Sequence, residues 1–250
     1  MKIIKLGGGE RVRIASELLF DELALCDKGF YELIILPIPT TRDKVTVTGT
    51  LVTIEDVIGL ANSGTAVAGY GIPIYAKERI KQAGAMVYDA ADDEDFLIEN
   101  AKITAHGAIC KILTETNRDA EELKIGIVGY GRIGSVLSEL LLFIGAKVRI
   151  YTKSESKLSI LAMSGADVRY YDGDFDISDL DILVNTAPQR LISEQNEIAF
   201  LNRGGKIIEL ASGKNFSTDK ITVLSSIPDK MYPISAGRLY AKYIQRALIK

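Results

Sequence analysis

A glycine-rich loop, Gly129-Tyr130-Gly131-Arg132-Ile133-Gly134, constrains the fold of this chain more than any other feature of its sequence. The loop follows a short apolar run directly, and in residues 133–144 apolar side chains recur on one helical face. A glycine loop between a buried strand and a helix is typical of dinucleotide-binding units. Gly129 permits the tight turn, Gly131 the approach of a pyrophosphate, and Gly134 close helix packing. The sequence therefore predicts a nicotinamide dinucleotide held by amides at the helix start. The alternative is a glycine turn that binds nothing.

The end of the next strand indicates which dinucleotide the chain prefers. A site that prefers NAD usually has an Asp or Glu there, which binds the ribose 2′-hydroxyl. This chain has Thr152-Lys153-Ser154, and a cation with two hydroxyls favours a 2′-phosphate. We therefore expect NADP, with NAD as the alternative. Under that alternative, Lys153 is a surface lysine and Glu155 binds the ribose.

Polar residues follow two more of the expected strands. One segment is Asn185-Thr186-Ala187-Pro188, and the other is Glu209-Leu210-Ala211-Ser212-Gly213. In an open α/β sheet the carboxyl ends of the strands border the cofactor crevice. We expect the first segment to contact the cofactor. A plain strand-ending turn is the alternative for each segment.

The order of apolar runs and helix-period segments predicts an α/β fold. We expect two Rossmann-like parallel-sheet domains with an interdomain cleft, and a C-terminal helix that returns to the first domain. Residues 1–117, with 235–250 returning, form the expected substrate-side domain, and residues 118–234 form the dinucleotide-binding domain. The acidic run at residues 89–95 is interpreted as a solvated loop, since it lacks the ligand spacing of a calcium site.

Composition excludes several classes of partner and site. The chain has 250 residues and a net charge of −3, with scattered basic residues, so no nucleic-acid or membrane-surface partner is expected. No apolar run approaches the ~20 residues of a membrane span, and no signal peptide is evident, so we expect a cytoplasmic protein. Cys26 and Cys110 are interpreted as buried thiols. With His106 as the sole histidine, no metal site is predicted.

Motifs spread over nearly the whole chain carry a family resemblance. They are Leu36-Pro37-Ile38-Pro39-Thr40-Thr41, Thr104-Ala105-His106-Gly107, the glycine loop, Asn185-Thr186-Ala187-Pro188, Leu210-Ala211-Ser212 and residues 228–237. Together they resemble the dipicolinate synthase A-subunit family, which is associated with sporulation and related to D-2-hydroxyacid dehydrogenases and adenosylhomocysteine hydrolases. The resemblance implies an NAD(P)-dependent oxidoreductase that oxidises a dihydrodipicolinate-derived intermediate to dipicolinate. It also implies that the partner is a flavoprotein-like B subunit, and we expect a homo-oligomer.

The chain departs from the family pattern near the expected substrate site. His106 occupies a position where the family has a glutamate, Ile234 replaces a lysine, and Ser235 replaces a threonine. The stretch after Leu210-Ala211-Ser212 and the first domain are also shorter. These departures leave two alternatives open, a dehydrogenase of another small carboxylic acid and a dinucleotide-binding regulatory or sensor subunit without turnover.

A small dicarboxylate needs hydrogen-bond donors and a cation. We predict that Thr40, Thr41, Ser212 and Arg238 bind the substrate, with Arg42 as another candidate cation, and that His106 and Ser235 are catalytic. His106 could act as a general acid or base, because its unperturbed pKa lies near neutrality. The alternatives are a helix residue packed at a domain junction for His106 and a capped turn for the two threonines. Under the enzyme hypothesis, Thr41, His106, Ser212 and Ser235 converge in one cleft.

Overall fold

The computed structural model describes residues 2–23, 32–163 and 165–249, so Cys26 lies outside the described residues. The chain divides into unit 1, Met1–Asn100 with Pro228–Lys250, and unit 2, Ala101–Ile227. The division after Asn100 lies inside the long helix Glu94–Thr116, whereas the boundary predicted from sequence, at residue 117, lies just after this helix. The C-terminal part of that helix is hydrogen-bonded to unit 2, since the Lys206 ammonium donates a hydrogen bond to the Glu115 carbonyl.

Unit 1 is built on a parallel sheet whose described strands follow the order β1-β2-β3-β4. Its elements are β1 (Lys2–Lys5), α1 (Glu10–Leu23), β2 (Glu32–Ile35), α2 (Ile54–Leu60), β3 (Thr65–Gly69), α3 (Ile74–Gln82), β4 (Met86–Asp89), the start of α4 (Glu94–Thr116), most of α8 (Ile227–Met231) and α9 (Pro233–Ile249). The strands are in register, with Ile4 opposite Ile34 in the first pair.

Successive side chains of β2 point to opposite faces of the sheet. Leu33 and Ile35 join the apolar cluster that includes residues of α1 and α9, whereas Ile34 joins the cluster that includes α2 and α3. Helix α9 packs along α1, which confirms that the C-terminal helix returns to the first domain. Gly237 makes this close approach possible, since a Cβ there would lie 2.7 Å from the Ile14 side chain.

Unit 2 is built on a second parallel sheet with the order β10-β9-β8-β5-β6-β7. After the end of α4, its elements are β5 (Lys124–Val128), α5 (Arg132–Phe143), β6 (Lys147–Thr152), α6 (Glu155–Ala162), β7 (Asp167–Tyr170), β8 (Ile182–Asn185), α7 (Glu194–Asn202), β9 (Lys206–Glu209) and β10 (Thr222–Val223). Counted within the unit and read from β7, the order is 3-2-1-4-5-6, that of dinucleotide-binding folds. The predicted α/β class with two parallel sheets is therefore confirmed.

The winding direction of the unit 2 sheet reverses between β5 and β8. Folds of this kind bind their ligands outside the carboxyl ends of the strands at that switch point. The glycine loop follows β5, and the segment that begins with Asn185 ends β8. Strand order therefore brings two of the predicted cofactor segments to one edge of the sheet.

Two sequence-based interpretations are wrong at particular residues, Asp89 of the acidic run and Cys110. The acidic run is interpreted as a solvated loop, but its Asp89 ends β4, is buried, and accepts hydrogen bonds from the Gly71 and Ile72 amides at 2.8 and 2.9 Å. These donors and the Lys77 ammonium, 2.6 Å away, compensate the buried charge. Cys110 is expected to be buried, but it lies on the exposed side of α4.

The sequence pattern also does not predict α6, β7 and α7. Strand β7 lies at the edge of the sheet and carries charged residues, so it lacks the continuous apolar run of a central strand. Its Asp167 is paired with Arg149 of β6 at 2.6 Å. No helix in the described ranges is both long and apolar enough to cross a bilayer.

Candidate functional site

The glycine loop of unit 2 has the backbone geometry that its sequence predicts. Gly129 has a φ of 91°, a conformation that favours glycine. A Cβ on Gly134 would collide with the Gly129 carbonyl oxygen, so a larger residue would push the helix away from the strand. At Gly131 a Cβ would meet no atom within 4 Å. The loop is therefore closely packed at two glycines and open at the third.

The start of α5 fits an anion. Gly131 is the N-cap residue of this helix, and no side chain caps the amides that follow. The first amides of a helix have no partner within the helix, and its dipole favours negative charge at this end. The open space at Gly131 lets a diphosphate approach these groups. Gly131, Arg132 and Ile133 would hold the diphosphate of a dinucleotide through their backbone.

Thr186, at the end of β8, holds the loop in place. Its hydroxyl donates a 2.8 Å hydrogen bond to the Val128 carbonyl and lies 3.3 Å from the Gly129 carbonyl oxygen. A Cβ on Gly129 would come within 2.8 Å of this hydroxyl oxygen. Because the hydroxyl already donates to the loop backbone, Thr186 fixes the shape of the glycine loop through that bond.

A buried amide–carboxylate pair connects the ends of β8 and β9. The Asn185 side-chain amide donates to both carboxylate oxygens of Glu209, at 3.1 and 3.2 Å, and to the Ala187 carbonyl at 3.0 Å. Each residue is only 2% exposed. Burial raises the pKa of Glu209, partly offset by hydrogen bonds that include those from Asn185 and the Ala211 amide. This pair fixes the two strand ends beside the glycine loop.

Glu209 is not among the predicted site residues. The sequence shows Glu209 only as a carboxylate at the end of a largely apolar strand, and this pattern does not indicate which group it pairs with. The partner Asn185 lies on the adjacent strand, and its amide can satisfy a buried carboxylate. Ala187, predicted to contact the cofactor, donates its amide to the Asn185 side-chain oxygen at 3.1 Å, and Pro188 is exposed beyond it.

The turn after β6 carries a cation and hydroxyl groups, but Thr152, predicted to contact the cofactor, is buried with only 4% of its surface exposed. Lys153 is exposed, and its ammonium lies 5.3 Å from the ring centre of Tyr171. The Thr152 hydroxyl accepts a 3.1 Å hydrogen bond from the Ser154 amide, which fixes the turn. The Ser154 hydroxyl is 3.0 Å from that of Ser156. This turn therefore presents a cation and a hydroxyl pair near the start of α6.

Lys157 is a cation that contacts the glycine loop, and it is not among the predicted site residues. Its ammonium donates a 3.0 Å hydrogen bond to the Tyr130 carbonyl and lies 5.6 Å from the Tyr130 ring centre. Tyr130 is a loop residue, so this contact connects α6 to the glycine loop. The sequence signal is weak, because the pattern does not predict α6 itself.

The two threonines of unit 1 have different surroundings. Thr40 is fully buried; its hydroxyl donates to the Pro37 carbonyl at 3.3 Å and accepts from the Tyr70 amide at 2.9 Å. Because Thr40 is fully buried, it cannot contact a ligand directly. Its hydrogen bonds stabilise the loop that follows β2. Thr41 is partly exposed, and its hydroxyl donates to Asp43 at 3.0 Å. Hydrogen bonds from Thr46, Val45 and Thr41 lower the pKa of Asp43.

The remaining predicted site residues have exposed side chains. Ser235 and Arg238 lie in α9 of unit 1, His106 lies on α4, and Ser212 follows β9 in unit 2. Arg42, the other candidate cation, is also exposed. The convergence of Thr41, His106, Ser212 and Ser235 in one cleft stays a prediction. No group of three His, Cys, Asp or Glu side chains in the described ranges is arranged to hold a metal ion.

The chain matches a family of dinucleotide-binding domains, in agreement with the geometry of the glycine loop. Residues 97–224 match the family model described as D-isomer specific 2-hydroxyacid dehydrogenase, NAD binding domain. The match covers more than half of the chain and includes the glycine loop and the ends of β6, β8 and β9. A nicotinamide dinucleotide is the cofactor that this domain type binds.

Individual relatives extend the similarity to both units. The dipicolinate synthase A-subunit of Bacillus subtilis (strain 168) is 23% identical over 184 residues, or 70% of this chain and 61% of that protein. The crystal structure of the A-subunit of dipicolinate synthase from Bacillus subtilis has a TM-score of 0.79 at 19% identity. The alignment covers 100% of this chain and 96% of that subunit. The A-subunit structure from Bacillus halodurans has a TM-score of 0.77 at 21% identity, with 100% and 98% covered. The structures share the fold, and the resemblance predicted from the motifs is confirmed.

Proposed function

Because the chain belongs to the family of D-isomer specific 2-hydroxyacid dehydrogenase NAD-binding domains, we propose that it is an NAD(P)-dependent oxidoreductase that oxidises a dihydrodipicolinate-derived intermediate to dipicolinate. The observation that carries this proposal is the uncapped start of α5 at the switch point, with open space at Gly131. The choice of substrate rests on the similarity to the A-subunits of dipicolinate synthases. The matched segment spans less than two thirds of that curated relative, so the reaction is part of the proposal.

The oxidation removes a hydride and a proton from the dihydro ring. A nicotinamide dinucleotide held at Gly131, Arg132 and Ile133 would supply the hydride acceptor, and a base must accept the proton. His106 is the proposed base, since it is the sole histidine of the sequence and its side chain is exposed. Ser235 is proposed to orient the reacting ring, and Thr41, Ser212 and Arg238 to bind the carboxylates. Thr40 would support the loop that carries Thr41.

We propose NADP as the preferred cofactor. Lys153 and Lys157 place two ammonium groups around the turn between β6 and α6, and Ser154 adds a hydroxyl. A 2′-phosphate would gain charge-assisted hydrogen bonds from such a set, which a 2′-hydroxyl cannot accept with equal strength. Glu155 is exposed at the first position of α6 and is the carboxylate that the NAD alternative would use.

Replacing Lys153 by aspartate tests this preference. The new carboxylate repels a 2′-phosphate and can accept a hydrogen bond from a 2′-hydroxyl. We expect NADPH affinity to fall about tenfold more than NADH affinity, the size of one charged hydrogen bond. Fluorescence titration with both nucleotides measures the difference. Lys147→Asp is the matched control, because Lys147 is exposed at the opposite end of the same strand. Equal losses for both nucleotides in Lys153→Asp would show that this turn does not contact the ribose.

The reaction itself is tested with purified protein, NADP and dihydrodipicolinate. We expect the nicotinamide absorbance to rise as the substrate is oxidised, and His106→Gln to slow this rise without weakening NADPH binding. If the protein binds NADPH but the absorbance never changes, with or without a B-subunit partner, the regulatory or sensor alternative is favoured. The hydroxyls of Thr40 and Thr41, both engaged within unit 1, are the structural observation in favour of that alternative. A requirement for the partner would support the proposed two-subunit enzyme.

A further inference from the structure

Arg11, in the first turn of α1, is a buried cation that is incompletely paired. The residue is 1% exposed. One guanidinium nitrogen, Nη2, lies 3.2 Å from the Asn100 side-chain oxygen and 3.2 Å from an Asp229 carboxylate oxygen. The other two nitrogens, Nε and Nη1, are buried and have no hydrogen-bond partner within the described part of the chain. Two acceptors therefore share one nitrogen while two others have none.

This arrangement is unfavourable for the folded unit by itself. A guanidinium stays protonated in proteins, so Arg11 cannot relieve its burial by losing the proton. Each buried donor without a partner costs about 1–3 kcal/mol, and more when it is charged. Burial also raises the pKa of Asp229, so the counter-ion is itself poorly solvated. Unpaired buried groups of this kind are rare in native proteins and call for an explanation.

The surroundings of Arg11 place it at the ligand-binding edge of the unit 1 sheet. Its other electrostatic neighbours include Tyr240 and Tyr70. Tyr70 follows β3 directly, and the Tyr240 hydroxyl donates a 3.0 Å hydrogen bond to the Leu36 carbonyl, which follows β2. The carboxyl ends of parallel strands are the edge at which open α/β sheets bind ligands. Arg11 differs in this burial from Arg42 and Arg238, which are exposed.

Asp229 is the carboxylate that contacts Arg11 in the free protein. It contacts the guanidinium through one nitrogen only, whereas a carboxylate can bind a guanidinium through two parallel hydrogen bonds. A quarter of its side-chain surface is open to solvent. It also lies in α8, a helix of five residues, just after the chain re-enters unit 1. Asp229 is therefore reachable from solvent, and its single-nitrogen contact with Arg11 leaves room for a better one.

We propose that Arg11 binds a carboxylate group of the substrate and that Asp229 occupies this position until the substrate replaces it. This inference rests on the proposed function, because it assigns a further cation, in addition to Arg238, to the same dicarboxylate. In the Asp229 position, the substrate carboxylate accepts hydrogen bonds from Nη2 and from one neighbouring nitrogen that has no partner in the free protein. Arg11 is then a specificity-determining residue, and Asp229 sets how tightly a carboxylate must bind to displace it.

Calorimetric titration of the full chain with dipicolinate tests this inference, using variants with opposite expected effects. Arg11→Met should weaken dipicolinate binding about tenfold. Asp229→Asn should strengthen it about threefold, because the competing charge is removed while the side-chain shape is kept. Arg13→Met is the matched control and should bind as the wild type does, since Arg13 lies on the same helix but is exposed and paired with Glu10 and Glu17.

If Arg11 and Asp229 had only a structural role, Asp229→Asn would not bind dipicolinate more tightly than the wild type. This gain in affinity can be measured even if Arg11→Met fails to fold. Unchanged or weaker dipicolinate binding in Asp229→Asn would overturn the inference, as would a folded Arg11→Met that binds as the wild type does. NADPH binding, measured on the same samples, separates the two claims. If the wild type binds NADPH and dipicolinate but the variants do not differ, only the role of Arg11 fails. If the wild type binds no dipicolinate, the proposed substrate fails as well.

Discussion

Gly131→Leu should reduce the affinity for NADPH and NADH at least a hundredfold, about 2.7 kcal/mol. A Cβ at Gly131 would meet no atom within 4 Å, so we expect the protein to accommodate the leucine side chain. That space is the one through which a diphosphate must approach the uncapped amides of α5. The side chain would therefore exclude the ligand while the fold remains intact. Fluorescence titration gives the affinity, and thermal unfolding shows whether the fold is retained.

Gly9→Leu is the matched control for this experiment. Gly9 also lies between a strand and the first residue of a helix, and a Cβ there would likewise meet no atom within 4 Å. It belongs to unit 1, so its replacement should leave dinucleotide binding unchanged. If Gly131→Leu binds NADPH as well as the wild type does, the glycine loop is not the phosphate site and the proposed function is lost.

Asn185→Asp should destabilise the protein by roughly 3–5 kcal/mol near neutral pH, the cost of an uncompensated buried charge. The new carboxylate would face Glu209 across the 3.1 and 3.2 Å contacts that the amide now makes. Two buried carboxylates at this distance raise each other's pKa, and burial already raises the pKa of Glu209. A group whose pKa is raised by folding contributes stability at low pH that is lost as the pH increases. The defect should therefore be larger at about pH 8 than at about pH 5.

Urea unfolding at the two pH values measures this effect, and the double variant Asn185→Asp with Glu209→Gln is its control. In the double variant the amide and the carboxylate exchange positions, so a hydrogen bond between them can form again. We expect the double variant to recover most of the lost stability, and the difference from the single variants gives the coupling energy. A single variant as stable as the wild type at both pH values would contradict a direct Asn185–Glu209 interaction.

The sequence determined those features whose physical cause is local. The turn at Gly129, the open position at Gly131 and the close packing at Gly134 follow from the absence of a side chain at each glycine. The apolar runs and helical spacing likewise predicted the parallel α/β class, because a buried strand and an amphipathic helix have different periods. Edge elements such as β7 lack that pattern, since solvent on one side removes the need for apolar residues.

Tertiary structure alone decided which polar groups meet. Thr40 follows a proline in a turn and is predicted from sequence to contact substrate, but the chain buries it against the Tyr70 amide. Glu209 finds Asn185 across the sheet because β8 and β9 are neighbours, a choice set by strand order. Arg11 is held by two residues far from it in the sequence, Asn100 and Asp229. Burial and pairing depend on groups that only folding brings together, and these two quantities govern the charge and reactivity of a polar side chain.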